Sequence, residues 1–190
     1  MELVIASNNK NKIREIKEIL GKRFEKVYSL AELDIDCDPE ETADDFLGNA
    51  LIKARTIAAF TDKAVLADDS GLMVDCLGGA PGVHSARYAG EHATTPENNA
   101  LLLKNMEGLS PRTAKYVATM VLLYPDGTYK VGVGEVKGEI IREARGESGF
   151  GYDPYFYSYE LKKTFAEATP EEKNSVSHRA NALHDLLRQL

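Results

Sequence analysis

The stretch Leu3-Val4-Ile5-Ala6-Ser7-Asn8-Asn9-Lys10-Asn11-Lys12-Ile13-Arg14-Glu15-Ile16-Lys17-Glu18-Ile19-Leu20-Gly21 decides the fold class. Leu3 to Ala6 is a short apolar run ended by Ser7-Asn8-Asn9, the pattern of a strand entering a turn. From Asn11 the period changes. Ile13, Ile16, Ile19 and Leu20 recur at helical spacing with Lys, Arg and Glu between them, and Gly21 can close the helix.

Working outward, the alternation continues. Phe24 to Leu30 reads as a second strand, and the acidic stretch Asp34 to Glu41, holding Pro39, as a loop or helix approach. Phe46, Leu47, Ala50, Leu51, Ala54, Ile57 and Ala58 predict a second amphipathic helix. Ala64 to Ala67 is a third strand, ending at Asp68-Asp69-Ser70-Gly71. A glycine-rich loop (Gly78-Gly79-Ala80-Pro81-Gly82) precedes a helix that begins near Thr95-Pro96 and carries Leu101, Leu102 and Leu103. Thr113 to Tyr124 and Thr128 to Val136 form a hairpin by their turn residues Pro125-Asp126-Gly127. Gly146 to Asp153 is a glycine- and aromatic-rich loop, and a helix with Leu183, Leu186, Leu187 and Leu190 closes the chain. Strands and helices alternate before a hairpin intervenes, so the expectation is α/β with a mixed sheet.

The chain has 190 residues, 43% of them apolar, enough to bury a core in one folding unit, 1–190, divided into two lobes around a cleft. Its net charge of -7 argues against a surface that grips a nucleic-acid backbone, though not against a small cationic pocket. Cys37 and Cys76 lack metal-site spacing and read as reduced. No stretch is long enough to span a bilayer, and no signal-peptide pattern is seen, so a cytoplasmic address without membrane contact is expected.

Five clusters can carry chemistry. Ser7-Asn8-Asn9-Lys10-Asn11-Lys12 sits where a strand hands over to a helix, whose unpaired N–H groups suit a phosphate; for this segment alone an N-capping Asn or Ser followed by solvated lysines is the better account. Asp68-Asp69 ends an apolar strand, where α/β sheets collect ligands, and two adjacent carboxylates favour a nearby cation such as magnesium. Strand geometry turns only one of them toward a reacting phosphate, and an acidic turn is the competing account. Glu40-Glu41 precedes a helix on which Asn49 and Lys53 share a face that could point into a cleft; by itself the simpler account gives the glutamates to the helix dipole and Lys53 to solvent. Phe150 lies between Gly149 and Gly151, offering a flat ring to a purine or, alternatively, plugging a turn. His178 and Arg179 put positive charge in a helix's first turn, against the dipole, which a bound anion or electron-rich base edge would justify; a solvent-screened His-Arg pair is the other account.

Six blocks, Ser7-x-Asn9-x-x-Lys12, Asp68-Asp69-Ser70-Gly71-Leu72, Gly78-Gly79-Ala80-Pro81-Gly82, Ser85-Ala86-Arg87-Tyr88, Gly149-Phe150-Gly151-Tyr152-Asp153-Pro154 and Ser177-His178-Arg179, resemble the inosine triphosphate pyrophosphatase (Ham1-like) family along nearly the whole chain. The resemblance implies a two-lobed α/β fold with a long, twisted mixed sheet, a central substrate cleft, a magnesium cofactor, a homodimer, and hydrolysis of ITP, dITP and XTP to the monophosphate and pyrophosphate. It implies that Ser7, Asn8, Asn9, Lys10, Asn11 and Lys12 contact the phosphates. Asp69 would be catalytic and a metal ligand, Glu41 the second metal carboxylate, and Ser70 a substrate contact. Asn49 and Lys53 join the substrate site, and Phe150, Gly151, Tyr152, Asp153, Lys173, His178 and Arg179 would bind the nucleoside. The first block reads Ser-Asn-Asn where many relatives have Thr-Gly-Asn.

The mechanism expected from this is attack of a water, oriented and deprotonated by Asp69 with magnesium, on the α-phosphorus, with Lys12, Lys53 and the first helix N-terminus neutralising phosphate charge. The 6-oxo group of hypoxanthine or xanthine would be selected by donors from His178, Arg179 or loop N–H groups. Two other readings stand beside it: a Maf-like pyrophosphatase for modified pyrimidine nucleotides, and a nucleotide- or RNA-binding module with a structural acidic pair.

Overall fold

Leu3, Val4 and Ile5 are fully buried, as only the strand of a sheet covered on both faces can be. The computed structural model describes all 190 residues, Met1 to Leu190. In chain order the elements are β1 (Glu2–Ile5), α1 (Lys10–Leu20), β2 (Lys26–Ser29), α2 (Phe46–Ala58), β3 (Ala64–Val74), α3 (Thr95–Asn105), β4 (Thr113–Leu123), β5 (Tyr129–Ile140), β6 (Phe156–Ser158), β7 (Lys163–Thr164), α4 (Pro170–Val176) and α5 (His178–Leu187). One seven-stranded sheet runs β2-β1-β3-β4-β5-β6-β7. β1 pairs parallel with β2 and β3, while β6 pairs antiparallel with β5 and β7, so the sheet is mixed. β4 and β5 are joined by a tight turn, with Tyr124 N–H donating to Thr128 C=O at 2.8 Å. No helix is long and apolar enough to cross a membrane.

The chain forms two compact units and passes between them at 69/70, 117/118, 134/135 and 178/179. The first comprises Met1–Asp69, Ala118–Gly134 and Arg179–Leu190. Strand alternation divides its core in two. Leu3, Ile5, Ala64 and Leu66 pack with Ile16 and Leu20 of α1 and Leu183 and Leu186 of α5. Val4, Ala6, Val65 and Ala67 pack with Ala50, Ala54 and Ile57 of α2. This period of two sets the directions of the next residues of β3: Asp68 follows Ala64 and Leu66, and Asp69 follows Val65 and Ala67.

The second unit, Ser70–Val117 and Glu135–His178, is built around Leu72, Val74, Leu102, Tyr116, Tyr152, Phe156 and Phe165. Tyr116 and Phe156 meet at 4.7 Å between ring centroids, and Phe156 meets Phe165 edge-on at 5.0 Å. The Gly78–Gly82 loop folds back on the end of β3, where Val74 N–H donates to Ala80 C=O at 3.1 Å.

Several expectations need correction. Asp68-Asp69-Ser70-Gly71 lies inside β3 and is not its end or a turn. Gly71 suggested a turn, but its smallness serves packing: a Cβ there would meet Gly82 O at 2.1 Å and Ser85 Oγ at 2.7 Å. The closing helix starts at His178 as expected but stops at Leu187, short of Leu190, and a separate helix, α4, precedes it unpredicted. α4 starts at a Thr169–Glu172 capping box with Pro170 in its first turn, and Ser177 breaks it with extended backbone. β2 begins at Lys26, later than expected; β5 runs to Ile140; and the short β6 and β7 went unpredicted.

Candidate active site

In the first unit a chain of buried charges gathers around Asp68 and Asp69. Asp68 points toward α1 and α5, where Lys12 Nζ lies 3.1 Å from Oδ2 and Arg179 Nε 3.6 Å from it. Arg179, 1% exposed, also pairs with Glu15 of α1. The positive charge at the start of α5 thus has protein carboxylates beside it. Burial would push the Asp68 carboxyl up, but Lys12, Arg179 and Lys53 outweigh it and hold the group well below the usual carboxylate range. Lys12 is lowered, chiefly by burial, with Lys53 and Arg179 adding repulsion against the pull of Asp68.

Asp69 points the other way, toward α2. Its Oδ2 accepts a 3.0 Å hydrogen bond from Asn49 Nδ2, and its Oδ1 is 3.8 Å from Lys53 Nζ. Lys53 donates to Glu41 Oε1 at 2.7 Å. Asn49 and Lys53, four residues apart on α2, therefore converge on one carboxylate, while Glu41 meets the same ammonium from the loop ahead of α2 and Glu40 is exposed. Burial pushes the Asp69 carboxyl up to about 6, helped by Glu41 and opposed by Lys53, Lys12 and the Asn49 hydrogen bond. Burial pulls Lys53 down, yet Asp68, Asp69 and Glu41 prevail and leave it raised. The two aspartates thus differ in their counter-charges. Asp68 has two cations in near contact, whereas Asp69 shares one ammonium with Glu41.

The Ser7–Lys12 segment takes the N-capping arrangement, except that Lys12 is paired with Asp68 rather than solvated. Asn9 caps α1, its Oδ1 accepting from Asn11 N–H at 3.0 Å and Lys12 N–H at 3.2 Å, so these two helix-start donors are already engaged. Ser7 Oγ accepts from Asn9 N–H at 3.1 Å. Asn8 Nδ2 donates to Cys37 C=O at 3.1 Å, and Lys10 is exposed. Asn11 Oδ1 accepts from Arg14 at 3.4 Å.

Glu41 and Asp69 fit a divalent cation of the magnesium type. They are hard oxygen donors beside one shared ammonium, and Glu41's charge is among the causes that raise Asp69. No group of three His, Cys, Asp or Glu side chains that could hold a metal occurs, so the fit is to a pair of carboxylates, with water or substrate oxygens completing the coordination.

In the second unit another network surrounds the Gly149–Pro154 loop. Asp153, buried, accepts from Phe150 N–H at 2.9 Å and from Lys173 Nζ at 2.8 Å on Oδ2, and from Tyr116 Oη at 3.3 Å on Oδ1. Lys173 Nζ lies 4.3 Å from the Phe150 ring centroid, a cation–π arrangement. Gly149 has φ +76°, and a Cβ there would stand 2.3 Å from Asp153 Oδ2. Gly151, at φ +63°, has its carbonyl held by Asn99 Nδ2 at 3.2 Å. The Tyr152 ring belongs to the core and its hydroxyl donates to Ser85 C=O at 2.6 Å. His178 stacks on Tyr116 at 4.8 Å, and Ser70 is half-buried.

Sequence reasoning overlooked Glu15, Asn99 and Tyr116. Glu15 left a signal, since an acid three residues after Lys12 on the apolar stripe of α1 calls for a buried partner. Asn99 and Tyr116 left none, because their partners are remote in sequence.

Residues 3–189 match the Ham1 family. A dITP/XTP pyrophosphatase of Clostridium tetani is 48% identical, the match covering 99% of this chain and 95% of the relative. One from Bacillus subtilis is 45% identical over 100% and 96%. Among solved structures, a HAM1 protein of Coxiella burnetii superposes with a TM-score of 0.90 at 40% identity, covering all of both chains. The Staphylococcus aureus Ham1 protein gives 0.87 at 43%, covering 100% of this chain and 97% of that one.

Proposed function

The chain belongs to the Ham1 family, and from that membership we propose that it hydrolyses non-canonical purine nucleoside triphosphates, dITP and XTP together with ITP, to the monophosphate and pyrophosphate. The observation that carries the reading is the cluster of half-buried Glu41 with buried Lys53 and Asp69, with Lys12 and Asp68 alongside. It combines a carboxylate pushed up to about 6 with two cations suited to a polyphosphate. A general base works best when it titrates near the operating pH, and Asp69 meets that condition where Asp68 does not.

In this reading Asp69 takes the proton from a water whose oxygen bonds to the α-phosphorus as the bond to the bridging oxygen breaks and pyrophosphate departs. Lys53 sits 3.8 Å from Asp69, close enough to steady the carboxylate and to counter charge on the phosphate oxygens. Lys12, held by Asp68, supplies a second fixed positive charge. A magnesium ion held by Glu41 and Asp69 would supply further neutralisation of the triphosphate oxygens. Phe150, Gly151, Tyr152, Asp153, Lys173, His178 and Arg179 take the nucleoside, with Tyr152 contributing through backbone, since its side chain is spent in the core. Donors facing the 6-oxo group would leave adenine's 6-amino group unpaired, a mismatch of about 1–3 kcal/mol for each buried group. A cytoplasmic homodimer completes the proposal.

The test is pyrophosphate release from dITP and XTP against dATP and dGTP, with magnesium and with chelator. Strong preference for dITP and XTP, dependent on the ion, is expected. Equal turnover of all four, or turnover indifferent to chelation, refutes the reading.

A further inference from the structure

Asn49 is fully buried, and both ends of its amide are engaged within the protein: Oδ1 accepts from Ala43 N–H at 2.9 Å, and Nδ2 donates to Asp69 Oδ2 at 3.0 Å. A backbone N–H can only donate, so the amide oxygen must face Ala43 and the amide nitrogen must face the carboxylate. We propose that Asn49 is a positioning residue for the metal-binding pair, holding the loop that carries Glu41 at a set distance from Asp69, and that Gly48 is the other half of the same clamp. The proposal rests on the reading of Glu41 and Asp69 given above.

Three observations converge on the loop. Asn49 reaches Ala43, two residues beyond Glu41, and ties it through one rigid planar group to the strand bearing Asp69. Gly48 lets Ala43 lie directly on the first turn of α2, because a Cβ at Gly48 would stand 2.5 Å from Ala43 Cβ. Asn8 pins the other side of the loop through Cys37 C=O. Lys53 also bridges Glu41 and Asp69, but its stem has four rotatable bonds and cannot fix a separation by itself. The buried amide can, because neither end can turn without stranding a polar group away from water. Groups that orient metal ligands in this way weaken metal affinity about 10- to 100-fold when removed.

The experiment is calorimetric titration of Mn²⁺, without nucleotide, into the wild type, Asn49→Ala and Gly48→Ala, paired with dITP kinetics over a range of magnesium concentrations. Both variants should bind Mn²⁺ roughly 10- to 100-fold more weakly. They should need proportionally more magnesium for half-maximal rate, and their rate deficit should close as magnesium rises, with the dITP KM at saturating magnesium within about twofold of wild type. Gly48→Ala serves if circular dichroism shows Asn49→Ala unfolded, since alanine is otherwise the better helix former and its Cβ would meet Ala43 Cβ at 2.5 Å but the capping Asp45 Oδ1 only at 3.2 Å. Unchanged Mn²⁺ affinity in the variants, or a raised dITP KM at unchanged Mn²⁺ affinity, overturns the clamp and makes Asn49 a structural or substrate contact. A wild type that binds no Mn²⁺ and releases no pyrophosphate from dITP overturns the underlying functional reading instead.

Discussion

Replacing Asp69 by asparagine should abolish turnover and, in metal-free buffer, make the protein more stable. Asp69 titrates near 6 in the folded state against 3.8 for an unperturbed aspartate. Between those values the folded chain binds more protons than the unfolded chain, so stability falls as pH rises. The carboxylate's penalty is absent below about pH 4, grows through the interval and is complete above about pH 7. That displacement corresponds to about 3 kcal/mol. Asparagine carries no charge to desolvate and can still accept from Asn49 through its side-chain oxygen. For a chain of this length about 3 kcal/mol raises Tm by roughly 6–12 °C. Thermal melts in chelator at pH 7.5 and 4.5 should show a gain at the higher pH that shrinks at the lower one. Magnesium should then stabilise the wild type more than the variant. A variant that melts below wild type in chelator at pH 7.5, or a gain that persists unchanged at pH 4.5, refutes the electrostatic account; substantial remaining pyrophosphate release refutes the catalytic one.

Lys53→Met leaves Glu41 and Asp69 without their shared cation, so kcat for dITP should fall by about 10²-fold or more; a loss under threefold would remove Lys53 from the chemistry. Glu15→Gln removes one of the carboxylates paired with buried Arg179 and should cost about 3 kcal/mol in urea unfolding. An unchanged midpoint would mean that Asp68 alone suffices. Gly149→Ala forces a Cβ against Asp153 Oδ2 at a positive φ, so the dITP KM should rise on the order of tenfold or more as Phe150 and Lys173 lose their anchor. A wild-type KM would separate that loop from the nucleoside.

How much was legible from the sequence depended on whether a residue's partner was local. The strand–turn–helix opening, the Asn9 cap and the shared face of Asn49 and Lys53 all follow from spacings of two to four residues. Gly71 misled for the opposite reason: its cause is the carbonyl of Gly82, which only the folded loop brings to 2.1 Å. β6 and β7 are three and two residues long and carry no period of their own; they exist because β5 offers an edge to pair with. That Glu41 meets Lys53 while Glu40 stays exposed also waited on the fold, since the loop holding them has no regular repeat to assign a face.

The sequence by itself determined the α/β class, the order of most elements and the inventory of charged groups, because hydrophobic periodicity and capping are short-range properties of the chain. Only the tertiary structure decided what those charges are to one another. Asp68 and Asp69 are neighbours of identical chemistry, yet strand alternation sends one to two cations and the other to an ammonium shared with Glu41. Their opposite titration behaviour follows from burial and from which side chains other elements deliver within about 4 Å, where Coulomb interactions in a protein interior are strongest.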